Sequence, residues 1–283
     1  MTADFGWVET AYAKINLALH VRRKQADGYH QLESLFAFAA GGDMLSAQPG
    51  DGLTLRISGP FAKGLTTGAD NLVLRAAEAL RQSFGVEQGV ALALEKNLPV
   101  ASGIGGGSAD GAAAIRLLAK LWSIDQHDPK LVEIAKRLGA DVPACLASAT
   151  QFGDDRGDVL TSVDGSTIAG TPLLLVNPGV PLSTADVFAR WDGVDNGALA
   201  RDDPVAAAIG GRNDLTAAAC AIVPQIREII DRLGAMPGVI LARMSGSGAT
   251  CFAIFDSVAS RDSAGAQISL AMPRAWCMKS ELR

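Results

Sequence analysis

This sequence predicts an α+β protein built as two domains, and three observations predict it. At 283 residues the chain exceeds one ordinary domain and can bury a sizeable core. Strand-like and helix-like stretches are mixed in both halves, without a sequence repeat and without the regular alternation of a βαβ array. Around residues 155–170 the composition turns to Gly, Asp, Ser and Thr, which places a boundary there, between an N-terminal domain of residues 1–163 and a C-terminal domain of residues 164–283.

The first element runs from Trp7 to Val21. Ala11, Ala13, Ile15, Leu17 and Leu19 fall on one face and Tyr12, Lys14, Asn16 and His20 on the other, the period of a half-buried strand. Residues 70–84 (DNLVLRAAEALRQSF) have the spacing of an amphipathic helix with Asp70 or Asn71 near its N-cap, and 90–96 (VALALEK) read as the strand after it. Ala112, Ile115, Leu118 and Trp122 recur at three and four, which predicts a helix over 108–122. Another is expected over 128–139, with Asp128 as N-cap, Pro129 at the first helical position and Gly139 at the end. Beyond the boundary come a strand (172–177), a short helix (184–191) and a long helix (213–233). Two strands flanking SGSG (238–255), a poorly patterned helix (257–271) and a last strand (274–280) complete the chain.

Composition narrows the function. Hydrophobic residues make up 48% and charged ones 19%, and no apolar run is long enough to span a bilayer, so a soluble protein is expected. The start, MTADFGWVET, has neither a basic region nor an apolar core, which makes the cytoplasm the default compartment. Cys145, Cys220, Cys251 and Cys277 lie far apart with no CxxC pair, which argues against a zinc site and a disulfide framework and leaves them as small buried hydrophobes. A net charge of −5 gives no basic footprint for nucleic acid. A polyanionic ligand would have to be held locally, by backbone amides and a few cations.

The stretch that invites such a ligand is PVASGIGGGSAD, residues 99–110, with four glycines in five consecutive positions running into a helix. It is not a P-loop, because Gly107 rather than lysine precedes Ser108, and it breaks GxGxxG, because Ser108 stands where the last glycine belongs. What it keeps is the physics common to both. Amides without side chains form a concave donor surface, and the following helix points its partial positive charge at the same place. A phosphate would sit well there, with the Ser108 hydroxyl available to it or to a metal ion; the alternative is a glycine-rich turn that lets the helix pack closely on a sheet.

Other residues are ambiguous alone. Lys14 and Asn16 lie about 7 Å apart on the polar face of the first strand, where Lys14 by itself reads as a solvated strand lysine. Asp141, in LGADVPACL, could cap a short helix or act in catalysis. DGYHQLESLF (27–36) gathers Tyr29, His30 and Phe36 in a chain only 5% aromatic, either a turn packed on the core or a stacking platform for a flat ligand such as a nucleobase.

Taken in order, AYAKINLAL, DGYHQLESLF, LPVASGIGGGSADGAA, LGADVP, RNDL at 212–215 and MSGSGATCF at 244–252 resemble the motifs of the GHMP small-molecule kinases. The resemblance runs from about residue 10 to residue 255. The proline, the spacer and GxGGGSA mark the superfamily's ATP loop. DGYH followed by LESLF points, within the family, to kinases of isoprenoid precursor synthesis that act on a cytidine-diphosphate-linked methylerythritol. Mevalonate and homoserine kinases share the loop but are not expected to carry DGYH.

The resemblance implies an N-terminal ribosomal-S5-like α/β domain and a C-terminal ferredoxin-like α+β domain with the active site in the cleft between them. It implies transfer of the γ-phosphoryl group of ATP, with Mg2+ expected beside the nucleotide, to the 2-hydroxyl of that small-molecule substrate. The implied partners include no nucleic acid and no membrane, with the chain working as a monomer or homodimer. Pro99, Val100, Ala101, Ser102, Gly103, Ile104, Gly105, Gly106, Gly107, Ser108 and Ala109 would wrap the ATP phosphates, with Asn71 and Lys96 near the adenine side. Asp141 would take the hydroxyl proton, and Lys14 would keep that carboxylate ionised and offset developing charge. Tyr29, His30 and Phe36 would form the cytosine pocket, with Phe188 as opposite wall, and Asn16 and Thr184 would contact polar parts of the substrate. SGSG at 245–248 would close the cleft or be an ordinary tight connection.

The chain departs from the family's commonest pattern at Ala101-Ser102, where two glycines are frequent, and at Ala109, where a second serine is. No acidic cluster marks a protein ligand for Mg2+, which leaves phosphates and water to hold it. Two readings from other classes stay open on the residues alone. One is a dinucleotide-binding oxidoreductase, against which the broken GxGxxG speaks. The other is a superfamily member that binds without catalysing, against which the presence of both Lys14 and Asp141 speaks.

Overall fold

The structure, a computed structural model, describes residues 6–283. It divides into two compact units, neither of them one continuous stretch. The first comprises the chain up to Ala13, Gly42–Val100 and Gly105–Ser148; the second comprises Lys14–Gly41, Ala101–Ile104 and Ala149–Arg283. The chain therefore divides differently from a single cut after residue 163. Two long strands, β1 (Trp7–Lys24) and β2 (His30–Gly50), each supply residues to both units.

In the first unit, β3 (Leu53–Ser58) pairs in parallel with β4 (Gly89–Glu95), which pairs antiparallel with residues 44–50 of β2. The Gly41-Gly42 pair within β2 looks like a break in the sequence, yet the strand runs through it. A Cβ on Gly42 would lie 2.0 Å from the Ala11 carbonyl oxygen, so only glycine permits that approach. Four helices belong to this unit: α1 (Leu72–Phe84), between β3 and β4, then α2 (Gly106–Leu121), α3 (Pro129–Leu138) and α4 (Val142–Ala147). In α1, Val73, Ala76, Ala77 and Leu80 are buried at the spacing of one helix face. α3 starts at Asp128 and Pro129 and ends before Gly139, as its caps predict. α2 is buried on almost every side from Ala109 to Ala119. Its small residues let α1 come close: a Cβ on Gly111 would lie 3.3 Å from Leu72 Cβ.

The second unit contains a four-stranded antiparallel sheet in the order β10 (Trp276–Glu281), β7 (Pro172–Asn177), β9 (Cys251–Phe255), β8 (Val239–Met244). With α7 (Thr216–Ile222) and α8 (Gln225–Gly234) between β7 and β8, and α9 (Val258–Ala271) between β9 and β10, this is a split β-α-β-β-α-β arrangement of ferredoxin type. α5 (Thr184–Ala189) and α6 (Pro204–Gly210) lie in the long β7 to α7 connection. The single helix expected over 213–233 is two, because Pro224 has no N–H to continue α7 and its ring crowds the preceding turn. Residues 32–36 of β2 pair with β5 (Gln151–Asp155), which turns back into β6 (Val159–Ser162). That hairpin begins the Gly- and Asp-rich stretch which suggested a boundary.

β1 departs from its half-buried prediction. Both faces are buried from Ala13 to Val21, including Lys14, Asn16 and His20. The polar face survives burial because partners meet it. Asn16 Nδ2 donates to Ser34 Oγ (2.8 Å), which donates to the Ala18 carbonyl (2.6 Å). His20 Nδ1 lies 3.1 Å from the Gly197 carbonyl, and its Nε2 accepts the Arg212 N–H. No helix among the described residues is long and apolar enough to cross a membrane.

Candidate active site

Residues 101–104 of the glycine loop belong to the second unit, where three consecutive carbonyls are committed. Ser102 O accepts from Thr250 N (3.1 Å), Gly103 O from Ser245 Oγ (3.0 Å) and Ile104 O from Lys14 N (3.0 Å). Ser245 Oγ also accepts the Asn16 N–H at 3.1 Å. SGSG is therefore more than a connection between β8 and β9: its backbone interlocks with the glycine loop. A Cβ on Gly103 would lie 2.5 Å from Ser245 O, and one on Gly246 would lie 2.8 Å from Gly103 O. The RNDL motif braces this knot, since Asn213 Nδ2 donates to the carbonyls of Met244 and Gly246, each at 2.8 Å.

Lys14 is 5% exposed, not a solvated strand lysine, and its Nζ stands 4.3 Å from the centroid of the Phe36 ring. Phe36 is itself only 2% exposed, and a Cβ on Gly153 would lie 2.3 Å from its ring. That burial removes Phe36 from any stacking surface and makes it the floor beneath Lys14. Thr184 Oγ1 lies 2.9 Å from Ser247 Oγ, which ties α5 to the SGSG turn.

The expected pairing of His30 with Phe188 is present, with ring centroids 4.9 Å apart and planes 30° from parallel. Sequence reasoning missed the third member. Trp191 meets His30 edge-on at 5.5 Å, one helical turn beyond Phe188; that spacing of two rings in an aromatic-poor chain was the available signal. Burial first, and the charge of Lys24 second, push the His30 pKa below its usual value, so the ring is neutral at neutral pH and offers one donor and one acceptor. Tyr29 is 56% exposed, and Arg156 covers its ring at 3.7 Å.

In the first unit the loop ends at Gly105, in the left-handed conformation at φ +63°. No side chain caps the start of α2, and its first turn carries no acidic residue. The N–H groups there lack the side-chain acceptor that usually meets them. Lys96, expected on the adenine side, is buried, with its ammonium 2.5 Å from both Asp43 Oδ2 and Asp110 Oδ2. Burial pulls the Lys96 pKa down, but Asp110 and Asp43 outweigh it and raise it, so Lys96 stays charged. Asn71 is engaged by its own helix: its Oδ1 accepts the Val73 N–H and its Nδ2 donates to the Thr66 carbonyl, each at 2.9 Å.

Asp141 directly precedes α4 but does not cap it with its side chain. The direction of α4 is set by Arg116 on α2, which sequence reasoning missed although it is a lone arginine within an apolar run. It donates to the Cys145 carbonyl (2.7 Å), Ser148 Oγ (3.2 Å), the Thr10 carbonyl (2.8 Å) and Glu9 (2.9 Å). Burial would raise the Glu9 carboxyl, but hydrogen bonds from Lys120 and Arg116 outweigh it and the pKa falls.

A helix start with no capping side chain leaves N–H groups that can meet an anion, and the two units, one a helix-backed sheet and the other a split β-α-β-β-α-β sheet, are those of one class of small-molecule kinase. The chain matches the family model for the GHMP kinases N terminal domain over residues 71–149 and that for the GHMP kinases C terminal over residues 198–276, and it belongs to the GHMP kinase family. Within it the chain is 54% identical over 277 residues to the 4-diphosphocytidyl-2-C-methyl-D-erythritol kinase of Rhizorhabdus wittichii, covering 97% of this chain and 94% of the relative. It is 51% identical to the enzyme of the same name from Sphingopyxis alaskensis, covering 97% and 98%. A crystal structure of 4-(cytidine 5'-diphospho)-2C-methyl-D-erythritol kinase superposes with a TM-score of 0.77 at 30% identity, over 97% of this chain and 99% of that one. A homoserine kinase from Cytophaga hutchinsonii, at 18% identity and a TM-score of 0.72, shares the fold.

Proposed function

We propose that this chain transfers the γ-phosphoryl group of ATP to the 2-hydroxyl of 4-(cytidine 5'-diphospho)-2-C-methyl-D-erythritol. The observation that carries the phosphoryl-transfer reading is the start of α2: a left-handed Gly105, no capping side chain and no acidic residue in the first turn. Phosphoryl transfer asks a protein chiefly for alignment and fixed positive charge, and uncapped amides at a helix start supply both. The acceptor follows from relatives that bear this enzyme's name over nearly their whole length. The neutral His30 beside Phe188 and Trp191 supports it. One donor and one acceptor on an imidazole match the amide-like edge of cytosine, and the flanking rings suit a flat base.

Residues 99–109 would hold the phosphates. Mg2+, expected with the nucleotide, would neutralise part of their charge, held by phosphates and water. Asp141 would accept the hydroxyl proton. Lys14, held at a fixed point over Phe36, would supply positive charge. Asn16 and Thr184 would meet the polar part of the acceptor, and the chain would work as a monomer or a homodimer.

The test is ADP release with the cytidine-linked substrate, beside mevalonate and homoserine. Turnover is expected with the first alone. Asp141→Ala should lower kcat by about 10²–10⁴-fold, and Lys14→Ala should act in the same direction. If the two act as one unit, the double variant will lose little more than the worse single one. Unchanged turnover in Asp141→Ala would remove the base, and activity on mevalonate or homoserine alone would overturn the acceptor.

A further inference from the structure

Beneath the start of α2 lies a group of charges whose arithmetic does not close. Lys96 follows β4, Asp43 sits on β2 and Asp110 on α2, with side chains 3%, 0% and 7% exposed. The one ammonium donates to both carboxylates at 2.5 Å. Asp43 is fully employed, because its other oxygen accepts the N–H groups of Asn97 (2.6 Å) and Leu98 (2.7 Å). Asp110 is not: its Oδ1 is buried with no hydrogen-bond partner. The cluster touches the glycine loop directly, since a Cβ on Gly106 would lie 3.2 Å from Lys96 Nζ and 3.9 Å from Asp43 Oδ2.

Fully ionised, the group would hold two negative charges against one positive, with an anionic oxygen dry and unpartnered. Burial of that kind is costly for a charged oxygen and much less so for a neutral one. The charged groups facing Asp110 are Lys96 and Asp43; on the neighbouring face of α2, at Gly107 and Gly111, the apolar Leu72 of α1 packs. Burial raises the Asp110 carboxyl, Lys96 lowers it and Asp43 raises it again, with the result at about 7.

We propose that Asp110 is a positioning residue of the phosphate cradle that carries an exchangeable proton. When a polyphosphate adds negative charge at the start of α2, the Asp110 carboxylate takes one proton from solvent and becomes a carboxylic acid. The Lys96 ammonium is then balanced by one carboxylate instead of two, so the group beneath Gly106 goes from a net charge of −1 to zero and no longer repels the incoming anion. The inference rests on the reading of the glycine loop as a polyphosphate site. Asp110→Asn keeps the shape and the polar contact but cannot titrate, so it separates bracing from proton exchange.

The experiment is calorimetric titration of the full chain with MgADP at pH 7.5, in buffers of different ionisation enthalpy. The wild type is expected to take up about 0.5–0.8 of a proton more than Asp110→Asn, for a group titrating near neutrality that binding makes neutral. Its MgADP affinity should also fall on the order of tenfold more steeply than the variant's between pH 6.5 and 8.5. A brace without proton exchange would change neither difference. Should Asp110→Asn fail to fold, the wild type alone decides: an infrared difference spectrum should gain the carbonyl band of a protonated carboxylic acid on MgADP addition. Equal proton uptake in both proteins, or no such band, would overturn the inference. No binding of MgADP at all would overturn the cradle reading on which it rests.

Discussion

Two helices that pack side by side in the first unit begin in opposite ways. At α1, Asn71 closes the helix start with its own side chain, and its amide group ties back to Thr66. At α2, Gly105 enters in the left-handed conformation and no side chain follows to meet the N–H groups. Capping is worth about 0.5–2 kcal/mol, so an uncapped start on a helix as deeply buried as α2 has to be offset elsewhere. Part of the offset is visible: α2 buries an almost continuous run from Ala109 to Ala119, and the loop before it is fastened through the carbonyls of Ser102, Gly103 and Ile104. A side chain closes the start of α1, and none closes that of α2, which is what the proposed phosphate site requires.

The contrast breaks most severely at the fastening of the open end. Gly103→Ala puts a methyl group 2.5 Å from one backbone oxygen and 2.7 Å from another, at φ +77°. Neither neighbour is a flexible side chain, so the loop or the SGSG turn must move. A loss of about 3 kcal/mol or more is expected, read as a lowered denaturation midpoint with ATP-dependent turnover lost alongside. A midpoint within experimental error of wild type would mean that the interlock of the two glycine turns holds nothing. The closed start gives a smaller effect on stability. Asn71→Ala should cost about 1 kcal/mol in denaturant unfolding, and Asn71→Asp, which keeps the acceptor for the Val73 N–H, should recover most of it. Equal losses in both variants would show that the bond to Thr66, not the cap, sets the stability.

The sequence showed the closed start more readily than the open one's surroundings. Asn71, Asp128, Pro129 and Gly139 act within one turn of where they stand, so α1 and α3 were legible to within a residue or two. The glycine loop was legible as a place for phosphate, because bare amides before a helix are a local property. What stayed hidden depends on residues far apart in the chain. No period links Asp43, Lys96 and Asp110, and nothing local says that Arg116 will reach the end of α4. The polar face of β1 looked solvated because Ser34, Gly197 and Arg212, which meet it, lie on other elements. β2 was missed because what carries it through Gly42 is the close approach of Ala11, which is distant in the chain.

The smallest effect concerns a residue of the loop that holds a left-handed backbone without being glycine. Ala101 sits at φ +51°, a region where a Cβ crowds the backbone at a cost of about 1–2 kcal/mol. Glycine would remove that crowding but bring back freedom in the unfolded chain worth about 0.4–1 kcal/mol. The two nearly cancel, and Ala101→Gly should stabilise the protein by about 0.5 kcal/mol, a rise of roughly 1–2 °C in Tm. The sign is the informative part. The fastening at Ser102, Gly103 and Ile104 already fixes the path of the loop, so a left-handed alanine is tolerated there because its neighbours hold it. If Ala101→Gly instead lowered Tm, the alanine would be fixing the turn itself, and the loop would owe its shape to that residue rather than to the three bonded carbonyls that follow.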